Sequence, residues 1–278
     1  MIVQWYPGHM AKAKRVLKEN MKMIDVVVEL LDARIPASSQ NPILKELAGS
    51  KHRIIVLNKE DLANPYITKA WIKTFHDEGI KAIAVDSIRK KGINETLNSI
   101  AQTPIRDSAA RRLSIKRPVR AMVVGIPNVG KSMFINSLVG RNTAKTGNKP
   151  GVTKGNQWIK IKESVQLLDT PGILWPRFDN EETGMHLVYV NSIGPKAFDI
   201  EDIVFSLIKF LTANYPDALK ERYNLCQILD NPDTIIKQIG KTRGFLIKGG
   251  DVDFRKTSET ILKDFRDGKL GRISLETP

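Results

Sequence analysis

Short apolar runs that end in polar or turn residues recur through the first part of the chain: Val26–Leu31, Ile54–Leu57, Ile80–Val85, Ala121–Val124, Gln157–Ile161 and Val165–Leu168. Runs of this length that end in turn or polar residues read as strands. The intervals between them carry helical patterns over Asn41–Ala48, Pro65–Asp77, Ile93–Ala101 and Lys131–Val139, with Pro65 pre-set for a first turn. The alternation predicts an α/β fold with a mostly parallel sheet of about six strands covered by helices, whose last two strands are close enough to form a hairpin. From about Arg177 the pattern changes. Ile200, Val204, Leu207, Ile208 and Leu211 fall at helical spacing behind an Asp199 cap, and further helices are expected from Pro232, capped by Asn231, and over Phe254–Phe265. The expected organisation is an α/β domain over residues 1–176 and an all-helical domain over residues 177–278. Gln102–Pro118, with a proline at each end and little apolar periodicity, reads as a linker inside the first domain.

Several predicted strands end in residues that carry chemistry. Ala121–Val124 leads into Gly125-Ile-Pro-Asn-Val-Gly-Lys-Ser132 and then a helix, the setting in which loop amides and a helix N-terminus cradle phosphates. Asn128, Val129, Gly130, Lys131, Ser132 and Met133 are the candidate phosphate-loop residues, with Lys131 reaching the β and γ oxygens and the Ser132 hydroxyl a ligand for Mg²⁺. Asp169-Thr-Pro-Gly172 follows Val165–Leu168, placing Asp169 to hold the same ion and the Gly172 amide to meet a γ-phosphate. Thr153, in the polar loop between these motifs, is the candidate switch threonine and a third ligand for Mg²⁺. At the end of Ile54–Leu57 stands Asn58-Lys59-Glu60-Asp61, where Asp61 can accept from two adjacent N–H donors of guanine. Adenine offers no such pair and would leave a buried carboxylate unsatisfied. Asp86-Ser87, after Ile80–Val85, can back the base with a backbone amide. These elements together imply a site for GTP and GDP.

Charge adds a partner to this picture. The chain of 278 residues carries a formal net charge of +14, of which residues 1–200 supply +13 and residues 201–278 only +1. A concentrated basic excess favours a polyanion, because each neutralised phosphate releases counterions. The candidate contacts are Lys12, Lys14, Arg15, Lys18 and Lys22, the linker cations Arg106, Arg111, Arg112, Lys116, Arg117 and Arg120, and Arg141, Lys145, Lys149 and Lys154. In the nearly neutral second domain, only local patches such as Arg255, Lys256, Lys263 and Arg266 are available. No apolar run approaches the ~20 residues that span a bilayer, and the N-terminus lacks the apolar stretch of a signal peptide. A cytoplasmic, monomeric protein without stable membrane association is expected. The single cysteine, Cys226, fits a reducing compartment and is expected in the core of a helical stretch.

The motifs resemble those of Ras-like P-loop GTPases, but in the order guanine motif, base-backing motif, phosphate loop, switch I and switch II. This order marks the circularly permuted GTPases. Within them WYPGHMAKA, LLDARIPASSQNP, DTPGILWP and GKLGRISLE resemble the ribosome biogenesis GTPase A family across essentially the whole chain. The resemblance implies a circularly permuted P-loop GTPase domain, a helical RNA-contacting C-terminal domain, and GTP hydrolysis on the maturing large ribosomal subunit in a late step of its biogenesis.

Ras-type enzymes carry a water-orienting Gln directly after the switch II glycine, where this chain has Ile173, which has no hydrogen-bonding side chain. His9, in the segment Pro7-Gly-His-Met10, is the candidate to position the water; its alternative roles are an RNA contact or a helix cap. Asn128 is the residue type found in GTPases that use K⁺ in place of an arginine finger. Its alternative role is to turn the loop after Pro127.

Overall fold

A computed structural model describes residues 15, 17–105, 117–140, 157–169, 180–194, 198–228 and 231–278. Two compact units are present, one of residues up to 180 together with Ser274–Pro278, the other of Glu181–Ile273.

The first unit is built on a six-stranded sheet in the order β3-β2-β1-β4-β6-β5. The strands are β1 (Val26–Asp32), β2 (His52–Asn58), β3 (Lys81–Val85), β4 (Val119–Gly125), β5 (Gln157–Lys162) and β6 (Val165–Asp169). All neighbours run parallel except β5, which pairs antiparallel with β6 as the predicted hairpin. The helices α1 (Pro42–Ala48), α2 (Pro65–Asp77), α3 (Ile93–Ala101) and α4 (Lys131–Val139) fill the intervals, each matching its sequence pattern to within a residue. Two start signals operate as the sequence implies: the Asn41 side chain accepts from the Ile43 amide and that of Asn64 from the Tyr66 amide, each followed by a proline.

Strand order explains which side each helix covers. The chain steps outward from β1 to β2 to β3 through α1 and α2, then returns across β1 to β4 through α3. Right-handed crossovers place helices of the two directions on opposite faces. On the first face Val27, Leu31, Ile55, Leu57, Met122, Val124 and Leu168 are all buried, in clusters with Leu44 and Ala48 of α1, Trp71 and Phe75 of α2, and Leu17 and Met21 from a helical stretch at residues 17–21. Glu29 shares this face at 1% exposure, and its carboxylate is compensated by Arg53 at 2.7 Å and the Asn41 amide. Because five strands are parallel, their C-terminal ends gather at one edge, where a doubly covered sheet places its ligand site.

The second unit contains α5 (Glu181–Tyr189), α6 (Ile200–Asn214), α7 (Pro216–Tyr223), α8 (Pro232–Thr242) and α9 (Phe254–Arg266). The caps predicted at Asp199 and Asn231 are made, to the Glu201 and Asp233 amides. The apolar stripe Val204, Leu207, Ile208 and Leu211 of α6 is fully buried. Asp264 of α9 is buried yet paired with Arg222 at 2.8 Å and Lys269 at 3.3 Å. Burial opposes its ionisation, but the hydrogen bonds and charges of these two cations hold its carboxyl below the usual aspartate range.

Two features differ from the sequence reading. The Ser274–Pro278 segment, expected in the helical domain, packs in the sheet unit. Cys226, expected in a helical core, is exposed just beyond α7, because Asn224 adopts a left-handed φ of 52° and ends the helix two residues earlier.

Candidate functional site

β4 ends at Gly125 and α4 begins at Lys131, so the phosphate loop lies between a central strand and a helix N-terminus. Two residues take left-handed backbone to make the loop, Asn128 at φ 58° and Gly130 at φ 96°. Asn tolerates this region better than most residues, which accounts for a loop-turning role of Asn128. At Gly130 no side chain fits: a Cβ would lie 2.5 Å from the Asn58 amide nitrogen. Val129 and Lys131 are buried, Ser132 is half-buried and Met133 is exposed at 41%. The first turn of α4 thus points its amides and its positive dipole end toward the strand edge.

The guanine motif meets this loop directly, because β2 and β4 flank β1. Asn58, at the last position of β2, donates from Nδ2 to the Val129 carbonyl at 2.8 Å. Its Oδ1 accepts from Ser87 Oγ at 2.7 Å. One buried side chain therefore joins three motifs. Lys59, left-handed at φ 58°, turns its ammonium back over the loop, donating to the Asn128 carbonyl at 2.8 Å and to Asp32 Oδ2 at 3.0 Å. Glu60 and Asp61 lie in a short 3₁₀ turn, and Glu60 is bound by Lys91 at 2.7 Å. Burial, reinforced by the Asp86 charge, raises the pKa of Asp61. A half-buried carboxylate whose ionised form is penalised in the free protein is suited to accept two donors from a ligand.

The Asp86-Ser87 turn is braced on both sides. Asp86 accepts from the Ile88 and Arg89 amides at 2.9 Å and exchanges backbone hydrogen bonds with Lys91. Ser137 of α4 donates to the Ser87 carbonyl at 2.6 Å. Asp169 ends β6 in register with Val123 of β4, at the same edge. The side chain of Asp169, like His9, Thr153, Gly172 and Ile173, lies outside the described residues. So do Lys12, Lys14, the linker cations Arg106, Arg111, Arg112 and Lys116, and Arg141, Lys145, Lys149 and Lys154.

Asp32 and Arg34 were not singled out for a role by the sequence. Asp32 ends β1, fully buried between the guanine motif and the phosphate loop. Arg34 binds it through Nε and Nη2, both at 2.9 Å, in a fork geometry. Burial works against ionisation of Asp32, but Arg34 and Lys59 outweigh it and hold the carboxyl far below the usual range. The available signal was an acidic residue closing a buried, largely apolar strand at the predicted ligand edge.

Some expected nucleic-acid contacts are engaged within the protein. Arg117 is bidentate to Asp25, at 2.7 and 2.8 Å, and Arg120 lies over the Trp158 ring. In the helical unit Arg266 donates to the Tyr189 and Val188 carbonyls, capping α5, and Lys256 stands over Phe245.

A family model described as a 50S ribosome-binding GTPase matches residues 120–237. The chain is also 43% identical over 281 residues to ribosome biogenesis GTPase A of Bacillus cereus, covering 100% of this chain and 95% of that one. The chain belongs to the ribosome biogenesis GTPase A family. The Thermotoga maritima member is 30% identical over 99% of this chain and 95% of its own. Mouse mitochondrial ribosome-associated GTPase 1 is 30% identical over 99% and 90%. Among solved structures, a GDP-bound YlqF from Thermotoga maritima superposes with a TM-score of 0.65 at 27% identity, covering 95% of this chain and 99% of that one; a GNP-bound form of YlqF gives 0.63. Ribosome biogenesis GTPase A thus supplies the frame in which the motif order is read: the permuted order places the guanine motif on β2 and the phosphate loop after β4. No helix among the described residues is long and apolar enough to cross a membrane.

Proposed function

We propose that this chain binds GTP across the edge formed by β1, β2 and β4, hydrolyses it to GDP and phosphate, and uses the cycle to promote a late step in biogenesis of the large ribosomal subunit. The observation that carries the nucleotide site is the junction of Asn58 with Val129 and Ser87, which fixes the guanine motif against the phosphate loop. Kinship with proteins named for ribosome biogenesis over the full chain, together with the charge of the first 200 residues, supports the ribosomal role.

In this reading Asp61 selects guanine, the loop amides and Lys131 hold the phosphates, and Gly172 senses the γ-phosphate. Mg²⁺ suits Ser132, which stands half-buried in the first turn of α4, and Asp169, which ends the strand beside β4; Thr153 completes the set. When bound there, Mg²⁺ would supply positive charge to the phosphates. The Asn128 side chain would hold K⁺, which would supply further positive charge near the phosphates, and His9 positions the attacking water. The helical unit and the basic segments contact rRNA. The protein works in the cytoplasm as a monomer.

Turnover is the test. Purified large subunits are expected to raise the GTP hydrolysis rate, with K⁺ more effective than Na⁺, and His9→Ala is expected to lower the stimulated rate while leaving GDP affinity unchanged. Subunits without effect on turnover would overturn the proposed activation, and an unaltered stimulated rate in His9→Ala would remove His9 from catalysis.

A further inference from the structure

Ser274, Leu275 and Glu276 lie against the sheet unit, more than 200 residues along the chain from what they touch. The Glu276 carboxylate accepts from the Ala37 amide at 2.6 Å, the Ser38 amide at 3.0 Å and the Ser38 hydroxyl. The Leu275 amide donates to the Arg34 carbonyl at 2.9 Å, and its side chain is buried. On the other side, Ser274 Oγ accepts from the Asn64 amide at 3.0 Å, and the Glu276 carbonyl accepts from Trp71 Nε1 at 3.2 Å. The segment therefore bridges the loop after β1 to the N-terminal half of α2. Both lie close to the guanine motif.

The clamped loop is the one that orients Asp32. Ser39 Oγ accepts from the Asp32 amide at 3.2 Å, Arg34 forks onto the Asp32 carboxylate, and the Ala33 amide donates to the Asn58 carbonyl at 2.9 Å. Asp32 in turn holds Lys59, which spans to the Asn128 carbonyl of the phosphate loop. A continuous series of hydrogen bonds thus runs from Glu276 through residues 34–39 to Asp32, Lys59 and the nucleotide edge. Asp32, Arg34, Ser38 and Ser39 are buried, so slack at one joint passes to the next.

We propose that Glu276 is a positioning residue for guanine-nucleotide binding, acting through the loop at residues 34–39 on Asp32 and Lys59. It touches neither base nor phosphate in this role. The segment it belongs to follows directly on the helical unit in sequence, so a partner that draws residues 274–276 away from the sheet unit would weaken nucleotide binding. Linkage makes the relation reciprocal: whatever factor segment docking contributes to GDP affinity, GDP contributes to segment docking. The inference rests on the proposed guanine-nucleotide site.

The experiment uses the full chain and GDP. Glu276→Ala is expected to raise the Kd for GDP by about fivefold to tenfold, a coupling of ordinary size, under conditions where the variant remains folded. Glu276→Gln, which keeps one acceptor oxygen, should fall between it and the parent protein. Glu163→Gln, at an exposed surface pair, should leave the Kd unchanged. In the unmutated protein, saturating GDP should slow hydrogen exchange of the Leu275 amide by a similar factor, relative to the Gly79 amide, which bonds the His76 carbonyl beyond the far end of α2. A GDP affinity unaltered by Glu276→Ala, or Leu275 exchange indifferent to GDP, overturns the proposal even if Glu276→Ala lowers thermal stability. Failure of the unmutated protein to bind GDP would instead overturn the nucleotide site itself.

Discussion

Asp61 and Asp32 are carboxylates at one sheet edge, and their surroundings drive them in opposite directions. Asp32 has two cations against it and stays ionised far below the ordinary range. Asp61 is raised above its ordinary value of 3.8 by burial and by the Asp86 charge. One is a structural anion that binds Lys59; the other is the proposed acceptor for guanine. The sign of the pH effect follows. In the proposed site guanine binds the ionised form of Asp61, so affinity for GDP is expected to fall as pH drops through the free-protein pKa, beginning at a higher pH than for an unperturbed aspartate. Titrating GDP binding downward from neutral pH into the acidic range should show this loss in the parent protein. It should be absent from the profile of Asp61→Asn, whose weaker binding retains only the titration of the nucleotide. Parallel profiles for the two proteins would remove Asp61 from base recognition.

Elements place these residues, and the glycines of α4 separate function from folding. Gly130 begins the helix at φ 96° against Asn58, whereas Gly140 ends it at φ 77° with open space where a methyl group would stand. Gly130→Ala should weaken GDP binding by about tenfold or more, since backbone strain of about 1–3 kcal/mol joins a collision with the side chain that links the motifs. Gly140→Ala should lower unfolding stability by about 1 kcal/mol with GDP affinity unchanged. Equal effects on binding would mean that the Asn58 junction is not what assembles the site. The central strands of this unit were legible in the sequence because their apolar runs are buried on both sides, and α1 and α2 because each has a local start signal, as at Asn64-Pro65. Helix α5 was not, since Gly184 interrupts its pattern and its C-terminal carbonyls are capped by Arg266 from α9. The site was legible where a short motif contains its own chemistry, as in Asn58–Asp61 and Gly125–Ser132. Asp32, Arg34 and Glu276 escaped because their meaning lies largely in partners distant in sequence, which no local spacing encodes.

At the scale of the molecule, permutation and charge point the same way. In the chain, the helical unit lies between Asp169–Gly172 and Ser274–Glu276, both of which belong to the sheet unit. A nucleotide site bracketed in this way has two covalent routes to a unit proposed to meet RNA. Residues 1–200 hold nearly all of the net charge, so ribosome binding should depend on salt through the sheet unit's basic segments rather than through the nearly neutral helical unit. Arg117 and Arg266 contribute little to that dependence, being committed to Asp25 and to the end of α5.

Co-sedimentation of the full chain with purified large ribosomal subunits, in a non-hydrolysable GTP analogue and in GDP over a range of salt, tests the central claim most directly. The account predicts that the analogue-bound protein pellets with the subunits, that the GDP-bound protein does so more weakly, and that both are released progressively as salt rises. Binding that is absent with the analogue, or equal in the two nucleotide states, would contradict it.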